Sequence, residues 1–295
     1  MPGCFGYIMR EIGAYHYDNV QIFISSLVFI YAAPPIYELA NYCILSRILY
    51  YVPYHSPIHP GRVLTTFGAI ATVIEILNAN GAANVANTTL PQSTQNIGKS
   101  LLKAALVLQL GVLFLFVTLA ATFHRKCAKA GLLPSNLNAV LITLYTSSSL
   151  IGIRTIYRVV EYFTTASLKF DNNLDPSTLS PVLRYEWFFW VFEGVLMLCN
   201  SFLLNARHPM RFLPRNNKIY LAQDGVTEIQ GEGYEDKRMW WVTFLDPFDF
   251  IGMIKGRDKE RRFWETHAEG RIQADGSGRG EAKVEDMERN GGGMR

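Results

Sequence analysis

Charge is scarce in this chain. Only 18% of its 295 residues are Asp, Glu, Lys or Arg, while 49% are hydrophobic. The scarcity is uneven: charges are sparse ahead of Pro214, whereas the chain from Arg215 onward is polar, charged and Gly-rich. A soluble domain mixes the two along its length. The net charge is +3, and no basic stripe is interleaved with aromatics, which excludes a nucleic-acid partner. The four cysteines, Cys4, Cys43, Cys127 and Cys199, lie far apart with no CxxC spacing, which excludes a disulfide framework and a zinc site. His55 and His59 are four residues apart, with nothing further to complete a metal site. There is no G-x-x-x-x-G-K-[ST] loop for ATP, no G-x-S-x-G nucleophile and no His-rich box, so no enzyme and no cofactor are expected. Phe5 to Met9 is too short for the apolar core of a signal peptide, and Arg10-Glu11 follows it, so targeting falls to the first spanning helix. No internal repeat is present.

What the chain does have is long apolar runs. A helix needs about 20 residues to cross the hydrocarbon core. Five stretches meet that length: about 20–44, 63–83, 101–123, 137–162 and 185–205. The second is the weakest, because Glu75, Asn78 and Asn80 interrupt it. The expected fold is therefore all-α: a polytopic transmembrane helical bundle, with an outer segment 1–19 and a cytoplasmic tail 214–295 that is largely disordered. Basic loops follow the first, third and fifth spans: Arg47 to Arg62, His124 to Lys129, and Arg207 to Lys218. By the positive-inside rule these face the cytoplasm, which puts the N-terminus outside. Asn87-Thr88-Thr89, a glycosylation sequon, then falls on the outer side, where such a site is usable. In the tail, Trp240 to Ile251 is aromatic but broken by Pro247 and two aspartates, which suits an interfacial segment rather than a sixth span. From Lys255 the composition is that of a disordered chain.

Charges inside the spans are the candidate functional groups, since each costs about 2.5–3.5 kcal/mol on insertion scales and is retained for a polar interior or a partner. Arg154 and Arg158 are spaced i,i+4 on one helix face, and Arg158 with Glu161 is i,i+3. Glu186 is expected at the depth of Arg158 and could pair with it. Glu193 lies seven residues further on the same face, near the midplane, and Glu75 is near the midplane of the second span. These six residues either hold helices together or form a groove in which arginines clamp an anionic headgroup and carboxylates take an amine or a proton. Glu38 lies in the first span toward the cytoplasm. Pro34-Pro35 interrupts that span, as a static bend or as a hinge for alternating access. Membrane lipids are the expected partners, and partners of the tail stay open.

Several strings carry a resemblance. They are Ile153-Arg154-Thr-Ile-Tyr157-Arg158-Val-Val-Glu161-Tyr162 and Glu186-Trp-Phe-Phe-Trp-Val-Phe192-Glu193, the latter continuing to His208-Pro209. Shorter ones are Gly6-Tyr-Ile-Met-Arg10, Ala33-Pro34 with Tyr37, and Gly98 with Gln109. In order and spacing the chain resembles the fungal lipid-translocating exporter family, also called RTA-like proteins. The resemblance implies a seven-helix bundle in a plasma or internal membrane. It also implies movement or sensing of lipid-like molecules such as sphingoid bases or sterols, and resistance to toxic amphiphiles. The chain departs from the family at Ala71, Asn78, Glu193 and Met210, where Asp, Gln, Asp and Gly are common. The family also carries a helix and most of a second ahead of the string at Gly6, so a copy lacking them, truncated or diverged, is expected. Two functions follow as expectations: translocation of amphipathic lipids, and, as the alternative, a lipid sensor that signals through its tail.

Overall fold

The computed structural model describes residues 2–15, 20–56, 60–86, 91–167, 181–214, 216, 219–222 and 227–230. The described residues form a helical bundle: α1 (Pro2–Tyr15), α2 (Val20–Tyr51), α3 (Pro60–Ala86), α4 (Gln92–Lys129) and α5 (Ser135–Ser167), then the short α6 (Pro181–Arg184) and α7 (Trp187–Phe189). A π-helical turn, Trp190–Val195, leads from α7 into α8 (Leu196–Ala206). Four helical stretches are long and apolar enough to cross a membrane: Pro60–Val85, Gln92–Lys129, Ser135–Thr165 and Trp187–Arg211. The stretch expected as the first span lies inside α2, whose 32 residues reach about 48 Å and include only Glu38 and Arg47 as charges. The protein is thus an all-α, multi-pass membrane protein.

Prolines and one glycine punctuate the helices. Pro53 follows the end of α2, and Pro60 opens α3, where a missing N–H costs nothing. α4 ends in a Schellman turn: Leu132 N–H donates to the Cys127 carbonyl at 3.0 Å, and Gly131 takes the left-handed φ of 69° that glycine adopts without strain.

The apolar core occupies one end of the bundle. It joins the last turns of α2 and α4 to the first turns of α3 and α5, through Leu45, Ile48, Leu49, Val63, Phe123, Leu137, Leu141 and Leu144. Tyr42, Phe67 and Phe116 close it with ring centroids 5.2–5.5 Å apart. Toward the lipid, the bundle exposes apolar side chains such as Phe114 on α4 (72%) and Phe202 on α8 (75%), which in water would form adhesive patches.

Two features were not anticipated. Residues 2–15 form a helix packed on α2, where an outer segment was expected. Within the stretch assigned to the tail, Ile219–Leu221 and Glu228–Gln230 pair as antiparallel strands β1 and β2. Tyr220 and Leu221 are buried, Tyr220 packs on Tyr54, and Tyr51 donates to Glu228 at 2.9 Å, so this hairpin is pinned to the end of α2. The aromatic segment 240–251, the charged tail from 255 and Asn87 lie outside the described residues.

Candidate functional site

α5 and α8 run antiparallel. Tyr157 stacks on Phe192 at 5.3 Å, Arg154 meets Glu193 one turn below, and Thr146 and Leu150 share a cleft with Leu198 and Phe202. The Arg154–Glu193 pair is buried, at 5% and 1% exposure. Arg154 Nε donates to Glu193 Oε1 at 3.0 Å, and Nη2 donates to the same oxygen. Glu193 Oε2 has no hydrogen-bond partner among the described residues. Glu193 sits within the π turn, whose extra residue locally rewinds the helix, a geometry found often at functional sites.

α1 closes the other side of this carboxylate. Its contact with α2 is close at Gly6, where an added Cβ would lie 2.8 Å from the Ile30 backbone nitrogen. That approach brings Tyr7 against Trp190 at 5.5 Å and Phe189 at 6.3 Å. Arg10 then reaches Glu186 at 2.8 Å and lies 4.3 Å over the Phe189 ring. Between α1, α2 and the π turn lies a cavity of about 280 Å³ lined by Tyr7, Ile30, Ala33, Tyr37, Trp190, Glu193, Gly194, Met197 and Ser201. Its walls are mostly apolar, with Glu193 as the acidic group. Pro34 lacks the N–H that would bond the Ile30 carbonyl, and the cavity-lining residues Ile30, Ala33 and Tyr37 flank that position on α2. Glu186 is well exposed and Arg10 partly so, so Arg10→Met should cost only about 1 kcal/mol of stability, seen as a small Tm shift in detergent.

A polar seam runs inward from the ion pair. Asn200 lies seven residues, or two turns, beyond Glu193, and Ser147 lies seven before Arg154, so the antiparallel register sets them level. Ser147 donates to Asn41 Oδ1 on α2 at 3.0 Å. Both amide atoms of Asn200, the Asn41 amide nitrogen and the Ser148 hydroxyl are buried without partners among the described residues. Buried polar groups of this kind are satisfied by water or a ligand in nearly all proteins.

The structure does not gather the six expected residues into one site. Arg154 and Glu193 meet, but Glu186 does not pair with Arg158. It takes Arg10 of α1 instead, while Arg158 Nη1 donates to Glu161 at 2.6 Å on its own helix. Glu75 stands apart on α3, linked to Arg154 only through the field of its charge. The prolines lie inside an unbroken α2 and border the cavity. His208 accepts from Met210 N at 3.2 Å and caps the turn Pro209–Arg211. Sequence reasoning missed Tyr7, Asn200 and Ser201 and left Glu38 outside the site. The one available signal for Tyr7 was the string around it, Gly6 to Arg10.

The strings quoted above as scattered matches meet here. Gly6 to Arg10 packs on Glu186 to Glu193, Arg154 pairs with Glu193, Ala33 and Tyr37 line the cavity, and Gln109 donates to Glu38. The model of the RTA1-like protein family matches residues 2–216. The chain belongs to this family. It is 46% identical over 239 residues to a lipid-translocating exporter-like protein RTA1 from Leptosphaeria maculans, a match covering 77% of this chain and 46% of that protein. The chain thus spans about half the length of that relative. A protein of the same name from Ajellomyces capsulatus is 30% identical over 87% of this chain and 80% of its own length. Protein RTM1 of Saccharomyces cerevisiae is 26% identical over 65% of this chain and 59% of its own. No solved structure matches. Two of these relatives are thus lipid-translocating exporter-like by name, and all three are fungal.

Proposed function

We propose that the protein moves amphipathic lipids, of sphingoid-base or sterol-like shape, between the leaflets of a membrane, and thereby contributes to tolerance of toxic amphiphiles. The observation that carries this reading is the apolar cavity with the Glu193 carboxylate in its wall. A tail rests against Tyr37, Met197 and Trp190, while the headgroup meets Glu193, Tyr7 and Ser201 and finds further polar atoms along the Asn200 seam. Arg154 holds and orients the carboxylate. Arg158, Glu161 and Glu186 flank the outer entrance, Glu75 contributes charge from α3, and Pro34-Pro35 let α2 bend as the cavity opens. In this reading the N-terminus is outside and the C-terminus cytoplasmic, which the basic loops support, and the plasma membrane is the proposed site of action. The relatives' name, lipid-translocating exporter-like, supports the reading.

The test uses proteoliposomes and a fluorescent sphingoid base, with a membrane-impermeant quencher reporting the exposed leaflet. Wild-type protein should speed leaflet exchange over empty vesicles. The double variant Arg154→Gln/Glu193→Gln, inserted at equal amount, should not. A folded double variant as fast as wild type would overturn the proposal.

A further inference from the structure

Glu38 is a second carboxylate inside the bundle, and the site above does not use it. It lies on α2 four residues past Pro34 and is 7% exposed. Gln109 Nε2 on α4 donates to its Oε1 at 2.7 Å, and the Tyr42 hydroxyl lies 3.4 Å from its Oε2. Among the described residues no cation stands within ion-pair distance of it. The charged groups bearing on it are Arg154 from α5, whose hydrogen bonds go to Glu193, and the like charge of Glu75 from α3. Among the described residues, two buried carboxylates, Glu38 and Glu193, thus face the one guanidinium of Arg154, with the half-buried Glu75 adding a further negative charge. An unneutralised carboxylate among apolar groups is costly, and a proton removes the cost. Because the Gln109 amide nitrogen can only donate, Oε1 is an acceptor. The Tyr42 hydroxyl donates to Oε2 when the carboxyl is ionised, and a proton on Oε2 would turn that hydroxyl into the acceptor.

We propose that Glu38 carries a proton that the protein exchanges for a cationic headgroup at Glu193, with Arg154 as the charge that passes between the two carboxylates. The proposal rests on the reading that the Glu193 cavity admits amphiphiles. An ammonium headgroup engages the Glu193 carboxylate and releases Arg154. The guanidinium turns to Glu38, the Oε2–H bond breaks, and the proton leaves to water. When the headgroup departs, Arg154 returns to Glu193 and Glu38 takes a proton from water. The charge of the bundle centre is the same before and after each half-step, so no step leaves an unpaired charge in hydrocarbon. Because proton and headgroup move in opposite directions, a proton gradient across the cavity would drive a cationic amphiphile against the direction of proton flow.

Two measurements on the full chain in detergent test it. Infrared spectroscopy should show the carbonyl stretch of a protonated carboxyl, lost in Glu38→Gln. That variant keeps the Gln109 and Tyr42 hydrogen-bonding shape and so remains folded. This reading stands apart from any transport. In weak buffer, adding dodecylamine, already protonated at neutral pH, should release about one proton per bound amine from wild type and none from Glu38→Gln. Dodecanol should release none from either. Absence of the Glu38 band, amine binding without proton release, or equal release from the variant would each overturn the proposal. If the band is present and dodecylamine fails to bind, the cavity reading fails and the exchange with it, while the protonated Glu38 stands.

Discussion

Arg154→Gln alone and Glu193→Gln alone should each destabilise the protein by about 3–5 kcal/mol, because each leaves its former partner as a buried, unpaired charge. The outcome to measure is abundance in the membrane and Tm in mild detergent. The double variant Arg154→Gln/Glu193→Gln removes both charges, and the two amides can still hydrogen-bond, so it should recover most of the loss. That non-additivity separates a buried ion pair from two independent packing residues, which would sum. The pair is not there to make the bundle firm, since apolar side chains of like volume would do that as well or better. Its recovery in stability without recovery of lipid movement would therefore tie the charges to the transport step.

Gly98→Val should be the second large effect. α3 and α4 cross where Gly81 faces Gly98. A Cβ at residue 98 would lie 2.9 Å from the Gly81 carbonyl oxygen, and one at residue 81 would lie 3.0 Å from the Gly98 oxygen. The backbone oxygens cannot swing aside, and the other near atoms at residue 98, Asn84 Cβ at 2.8 Å and Val85 Cγ2 at 3.1 Å, are held close to their own backbone. Small residues are what permit helices to approach this closely in a membrane, where dispersion contacts replace the hydrophobic drive. Overpacking of this kind costs about 1–3 kcal/mol or more. The variant should lose folded protein, read as fluorescence-detected size-exclusion yield. Gly111→Val on the same helix meets nothing within 4 Å and should keep wild-type yield.

The spans were readable from sequence because length and apolarity alone decide whether a helix crosses a bilayer. The partners of the charges were not. Arg10 and Glu186 are 176 residues apart, and Glu38 and Gln109 are 71 apart. No spacing rule reaches that far. Reading residues 1–19 as an outer segment also removed Tyr7 and Arg10 from consideration, so Glu186 was assigned the nearest arginine in depth, Arg158. The hairpin did leave a trace: Ile219-Tyr-Leu and Glu228-Ile-Gln flank an Asp224-Gly225 pair, a common turn signal, overshadowed by the polar composition around it. The π turn left none, since its residues, Trp190 to Val195, read as ordinary apolar helix. Asn200 carries no sequence signal of its own, and only the packing of α8 against α5 leaves it fully enclosed.

The π turn also marks where the last helix divides its surroundings. Trp187, ahead of it, is exposed, whereas Glu193 within it and Met197, Asn200 and Ser201 beyond it are buried. Val195, Leu198 and Phe202 stay exposed on the opposite side. At about 100° per residue, Glu193, Met197 and Asn200 fall within one narrow arc, so one continuous rod presents one stripe to the lipid and another, carrying the acidic residue, to the protein interior.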